Sequence, residues 1–251
     1  MSPEFAAQRT AIVTGAAKRI GAVLARGLAA DGWHVVVHCN GSIDEGRALA
    51  DEIGGTAVQA DLADPGAAAA VLAACDDLPP LGLLVNNASL FEYDTHDDFT
   101  VERWDRQHAV NLRAPALLTQ AFAAALPAGL TGLVVNLLDV KLFSLNPDFF
   151  SYTVSKYGLL GLTELHARAL APRIRVNGIA PAVTMVSGPQ SRENFAKAHT
   201  HNPLGRGVEA GDILRTLRFI IDSPVLTGQV ITVDAGQRLM GMPRDVAFMV
   251  E

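Results

Sequence analysis

Tyr152-Thr153-Val154-Ser155-Lys156 sets a phenol and an ammonium four residues apart, on one face of any helix they share. A phenol, with a reference pKa of about 10, exchanges protons poorly at neutral pH. A neighbouring ammonium favours the phenolate. Lys156 is therefore expected to draw the Tyr152 pKa down, making it a usable proton donor beside a hydride acceptor. The same ammonium suits the hydroxyls of a sugar. Tyrosine and lysine meet at this spacing on many exposed helices, so position must decide.

A second group of residues suits a dinucleotide. In Thr14-Gly15-Ala16-Ala17-Lys18-Arg19-Ile20-Gly21, Gly15 permits a tight turn out of a strand and Gly21 a close approach of helix to sheet. Amides at the helix start, aided by its dipole, suit a pyrophosphate, although many strand-to-helix junctions look alike. NAD-binding sites of this kind place Asp or Glu near the end of the second strand for the ribose hydroxyls. Here the segment is His38-Cys39-Asn40-Gly41-Ser42, with no carboxylate before Asp44. His38, Asn40 and Ser42 are expected to donate to a 2′-phosphate, with Arg19 adding positive charge, which points to NADPH. Asp61 either accepts from an adenine amino group or caps the helix that follows.

The elements around these residues alternate. Short apolar runs at 10–14, 33–39, 56–60, 81–85, 132–138, 174–176 and 230–233 read as strands. Amphipathic stretches at 20–31, 42–53, 65–74, 101–125, 150–170 and 213–220 read as helices. Near-continuous apolar strands separated by helices predict an α/β protein, a Rossmann-type doubly wound parallel sheet of about seven strands with helices on both faces. No domain boundary is evident, so residues 1–251 are expected to form one domain, with an irregular substrate lid at about 182–207.

Composition narrows the partners. Hydrophobic residues make up 49% and the net charge is −6, which argues against nucleic acid, whose binding needs clustered Lys and Arg. Two cysteines and seven histidines without ligand spacing argue against a metal. The N-terminal residues lack a basic segment followed by an apolar run, and no apolar stretch reaches the roughly 20 residues that span a bilayer. A cytoplasmic protein that does not engage membranes is expected.

Taken together, TGAAKRIG at 14–21, Asp61, NNA at 86–88, Asn111, YTVSK at 152–156, Asn177 with Pro181, and TGQVITVDAG at 227–236 resemble the short-chain dehydrogenase/reductase family from about residue 10 to 236. The resemblance implies Tyr152 as proton donor, Lys156 as its partner and Asn111 as support for a proton-relay water. It places Ile20, Leu62, Asn87, Ala88 and Pro181 around the cofactor and Thr184 against the nicotinamide carboxamide. It also implies a homo-oligomer, tetramer or dimer. Arg19 stands where the common pattern has glycine, and Asp139 about where it has serine. Both resemble the pteridine reductase branch, which includes dihydromonapterin and alternative dihydrofolate reductases, as does Ser89-Leu90-Phe91 after the two asparagines. Gly41 departs from that branch, which often has arginine there, and Ala182 replaces a glycine.

These residues suit a pterin. Phe91 can stack on a flat ring, unless it is a core or loop aromatic. Ser89 and Arg19 can meet its amide edge, unless Arg19 is solvated. Reducing a ring C=N bond needs hydride at carbon and a proton at nitrogen. Asp139 beside Tyr152 can relay that proton if burial raises its pKa, unless it caps the strand end. Two alternatives stand: a carbonyl or ketone reductase in which Asp139 replaces serine, and a catalytically idle NADPH-binding regulator, against which the intact Tyr152, Lys156 and Asn111 speak.

Overall fold

The apolar runs become the strands of one parallel sheet. The computed structural model describes residues 9–186 and 190–250. The strands are β1 (Thr10–Val13), β2 (His34–Cys39), β3 (Thr56–Gln59), β4 (Leu81–Asn86), β5 (Gly132–Leu137), β6 (Ile174–Pro181) and β7 (Val230–Val233). Their order across the sheet is β3-β2-β1-β4-β5-β6-β7, every neighbouring pair parallel. The expected doubly wound α/β fold is borne out.

Helices α1 (Arg19–Ala30), α2 (Ile43–Ile53) and α8 (Ala210–Asp222) cover one face, where Leu24, Leu28, Ile213 and Leu217 meet Val35, Val37 and Val85. Helices α3 (Ala67–Ala73) and α5 (Ala114–Ala125) cover the other, where Val71, Leu118 and Phe122 meet Ile12, Leu84 and Val134. Leu118 and Phe122 are fully buried, and burying each contributes roughly 1.5–3 kcal/mol. The chain order reverses between β1 and β4, so the crevice at the carboxyl ends of these strands is where a ligand sits in such sheets.

Three local departures from expectation shape the site. The stretch read as one helix over 101–125 is α4 (Val101–His108), a π-helical turn at Ala109–Arg113, then α5. Pro115 lies at the start of α5 and has no N–H for the carbonyl one turn back, so the register loosens there. Strand β6 runs on to Pro181 rather than stopping at 176. Polar Asn177 hides this in the sequence, but it is satisfied: its Nδ2 donates to Leu226 O (2.9 Å) and its Oδ1 accepts from Gln229 N (3.1 Å). Within the stretch expected to be an irregular lid lies α7 (Arg192–Thr200), its N-terminus capped by the Ser191 hydroxyl. Residues 187–189 of that stretch lie outside the described residues. The remaining long helix is α6 (Phe150–Leu170), which carries Tyr152 and Lys156.

Candidate active site

A cleft of about 1140 Å³ opens at the carboxyl ends of β1, β4, β5 and β6. At one end lies the turn from β1 into α1. Gly15 has φ +62°, and a Cβ on Gly21 would fall 2.3 Å from Gly15 O, so both glycines are required by geometry. No side chain caps α1, which leaves the first-turn amides facing the cleft for an acceptor of another kind. Asn87 sews this turn to β4: its Nδ2 donates to Thr14 O (2.8 Å) and Gly15 O (3.2 Å). Thr14 Oγ1 in turn accepts from the amides of Asn87 and Ala88.

Arg19 has φ +57°, a left-handed conformation that favours glycine. Holding an arginine there costs on the order of 1–2 kcal/mol, which is a reason to look for what its side chain does. The guanidinium reaches Val186 O at 2.5 Å and lines the cleft.

Of the residues expected around the cofactor, the cleft wall includes Gly15, Arg19, Ile20, Gly21, His38, Asn40, Asp61, Leu62, Asn87, Ala88, Tyr152, Lys156, Pro181 and Thr184. Ser42 is the N-cap position of α2, its hydroxyl makes no cap bond to the helix, and it lies just beyond the wall residue Asn40. His38 is a correction. Its ring is buried, Nδ1 accepts from Gly15 N (3.2 Å) and Nε2 faces Ala60 O (3.0 Å). Both nitrogens are therefore engaged by backbone, and burial lowers its pKa and keeps the ring neutral. His38 braces the glycine turn instead of donating outward. Asp61 accepts from Ala63 N (2.9 Å) in a turn ahead of α3, whose N-cap is Gly66, so it does not cap that helix, and it reaches the cleft.

At the other end, Asn86, Asn136 and Thr163 form a buried chain that ties β4, β5 and α6 together: Asn86 Nδ2 donates to Asn136 Oδ1 (2.8 Å) and Asn136 Nδ2 to Thr163 Oγ1 (2.9 Å). This fixes α6 against the end of β5 and brings Tyr152 Oη within 2.7 Å of Asp139 Oδ2. Asp139 Oδ1 accepts from Lys141 N (2.8 Å). Burial raises the Asp139 pKa, although those two hydrogen bonds and the Lys156 charge oppose it. Tyr152 moves opposite to expectation. Burial, then the Asp139 charge and hydrogen bond, push its phenol well above 10. Burial likewise shifts Lys156, lowering its pKa to about 8. Its Nζ donates to Leu137 O (2.7 Å) and lies 5.7 Å from the centre of the Tyr152 ring. The pair is a protonated phenol hydrogen-bonded to a carboxyl whose pKa burial raises.

Asn111 is not part of the cleft wall. It is fully buried behind it, donating to Leu90 O (2.9 Å) and Ser155 Oγ (3.0 Å) and accepting from Leu90 N and Ser89 Oγ. The π-helical turn aims it inward, and its contacts fix the loop carrying Ser89 and Phe91. Phe91 is 40% exposed at the cleft. Phe149 stacks on one face of its ring (4.0 Å, 17°), and Tyr152 stands edge-on (4.7 Å, 84°).

Several cleft residues escaped sequence reasoning: Lys141, Phe149, Asp245 and Phe248 above all. The aromatic pair immediately before Ser151-Tyr152 was a signal for Phe149. For Asp245 and Phe248 there was none, because chain folding alone returns the C-terminal residues to the site. Among the described residues no group of three or more His, Cys, Asp or Glu is placed to hold a metal, and no helix is long and apolar enough to cross a membrane.

Comparisons agree with this architecture. The short chain dehydrogenase family model matches residues 9–196. The crystal structure of FolM alternative dihydrofolate reductase 1 from Brucella canis, complexed with NADP, is 44% identical, with a TM-score of 0.90 over 95% of this chain and 97% of that one. An uncharacterised oxidoreductase of Methylorubrum extorquens is 34% identical over 92% of this chain and 98% of its own. The 3-oxoacyl-[acyl-carrier-protein] reductase FabG of Staphylococcus aureus is 31% identical over 91% and 97%. The chain is thus an oxidoreductase and belongs to the short-chain dehydrogenase family.

Proposed function

We propose that this protein is an NADPH-dependent reductase of a pterin ring C=N bond, of dihydropteridine or dihydrofolate type. The observation that carries the proposal is the 2.7 Å contact between Tyr152 and a carboxyl whose pKa burial raises, beside the exposed Phe91 ring. A ketone needs a single proton donor at oxygen. A ring nitrogen beside a flat aromatic system is better served by a carboxylic acid and an aromatic wall. The similarity to an alternative dihydrofolate reductase crystallised with NADP supports both substrate class and cofactor.

The residues fit the cofactor. Gly15, Gly21 and the uncapped start of α1 form a cradle that a Cβ would fill, suited to the pyrophosphate. Near the end of β2, Asp44 and Glu45 are paired with Arg47 (3.9 Å) and Lys18 (2.6 Å), so no unpaired carboxylate meets a 2′-phosphate there. Asn40 would meet that phosphate, with the Arg19 charge nearby, Asp61 the adenine, Lys156 the nicotinamide ribose and Thr184 the carboxamide. When bound, NADPH supplies the hydride to the ring carbon. Tyr152 then gives its proton to the adjacent ring nitrogen, and Asp139 returns one to the phenol oxygen. Because Tyr152 resists forming a phenolate, the two transfers run together. Phe91 and Ser89 hold the ring, with Arg19 reaching its amide edge.

Two results are expected. NADPH should bind at least tenfold more tightly than NADH, about 1.4 kcal/mol, by fluorescence titration. Equal affinities would remove the phosphate site from Asn40. Phe91→Ala should raise KM for dihydrobiopterin about tenfold, through lost burial and stacking worth roughly 0.5–1.5 kcal/mol, while the Kd for NADPH holds. An unchanged KM would place the ring elsewhere.

A further inference from the structure

The substrate end of the cleft is closed by residues far apart in the chain. Asp148 is 2% exposed and sits between the end of β5 and α6. Arg244, from the C-terminal segment, grips it with two nitrogens: Nε at 3.0 and 2.8 Å from its two oxygens, and Nη2 at 2.7 Å from Oδ1. Asp245 N donates to Asp148 Oδ2 (2.7 Å), and Tyr93 Oη approaches Oδ1 (3.4 Å). Burial alone would raise the Asp148 pKa, but the Arg244 guanidinium and the Asp245 amide hold it below the usual carboxylate range.

Two aromatic rings hang on this contact. Phe149 follows Asp148 directly and has φ +54°, a conformation costly for a residue with a Cβ. Phe248 lies on the short turn Val246–Phe248, parallel to Phe149 (6.1 Å, 19°) with the Arg244 guanidinium 5.3 Å from its centre. Phe149 in turn stacks on Phe91. Asn194 of α7 anchors the same segment by donating to Ala247 O (2.9 Å) and Val250 O (2.7 Å). The Asp245 carboxylate faces buried Lys141 at 3.7 Å. An exposed ion pair would be worth little, but this one is bidentate, buried on one side, and supports a column of three rings.

We propose that Arg244 is a positioning residue: its grip on Asp148 holds the C-terminal segment, and with it Phe248, against the Phe149–Phe91 column, so that it governs substrate affinity rather than chemistry. This rests on the pterin reading only for the identity of the substrate used in the test.

The experiment compares wild type, Arg244→Ala, Phe248→Ala and the double variant. In Arg244→Ala, amide hydrogen exchange across residues 245–249, followed without substrate, should quicken about tenfold as the segment opens locally. KM for dihydrobiopterin should rise about tenfold while kcat falls far less and the NADPH Kd holds. The double variant should be no worse than the poorer single one, since Arg244 acts through Phe248. Arg244→Lys, which keeps charge but loses the fork, should recover part of the KM. Unchanged exchange, equal losses in kcat and KM, or additive single effects would each overturn the proposal. Wild type that reduces no dihydropterin would overturn the substrate reading alone, with exchange still deciding the role of Arg244.

Discussion

Tyr152→Phe should lower pterin turnover about 10²-fold or more, the usual scale for losing a positioned acid or base. The change deletes one oxygen, keeps the ring edge-on to Phe91, and leaves the Lys156 bond to Leu137 O in place. The Kd for NADPH should therefore stay within about twofold, a shift well under 1 kcal/mol. It should also free Asp139 of the hydroxyl that donates to it, raising the carboxyl pKa further by removing a bond that favours the charged form. Loss in kcat without loss of cofactor affinity, measured by steady-state rates and titration, is the expected signature. A variant that keeps most of its turnover would take Tyr152 out of the chemistry.

Asp139→Ser should have a comparable effect on pterins and an opposite or absent one on ketones. Serine preserves a hydroxyl near Tyr152 but is far too weak an acid to return a proton to the phenol oxygen as a carboxyl does, so pterin turnover should drop by about 10²-fold. The pH profile gives a further check. In the proposed mechanism Asp139 works as the protonated acid, and burial raises its pKa, so turnover should be full at low pH within the stable range. It should decline as pH rises through that value. The alkaline decline should move or vanish in Asp139→Ser. A profile identical to wild type would mean the carboxyl is only the cap its bond to Lys141 N suggests.

Legibility in the sequence followed physical locality. Strands β1, β2, β4 and β5 are buried on both faces, so their near-continuous apolar runs announced the parallel sheet. Gly15, Gly21, Tyr152 and Lys156 were legible because each function is tied to a short spacing. The contribution of Arg19 was half legible: the residue type was evident, its left-handed backbone was not. What depended on burial was misjudged. Lys156 was expected to lower the Tyr152 pKa, yet burial and then the Asp139 carboxyl raise it. His38 read as a phosphate donor from composition, and only the fold shows that it faces inward to Gly15 and Ala60. Helix α7 was missed because its few apolar residues, Phe195 and Ala198 among them, make too weak a stripe, and its stability comes from the Ser191 cap and from contacts to the C-terminal segment. Contacts such as Asp148 with Arg244 join residues too distant for any local pattern to reveal.

The central claim is that the cleft reduces a pterin ring. The direct measurement is NADPH oxidation by the unmodified protein, with dihydrobiopterin and dihydrofolate as acceptors and a panel of small ketones beside them. Reduction of at least one dihydropterin or dihydrofolate, with weak or absent ketone turnover, is the result the geometry of Asp139, Tyr152 and Phe91 predicts. Efficient reduction of ketones with no NADPH oxidised in the presence of any dihydropterin or dihydrofolate would contradict it, and would leave Asp139 as a substitute for serine in a carbonyl reductase.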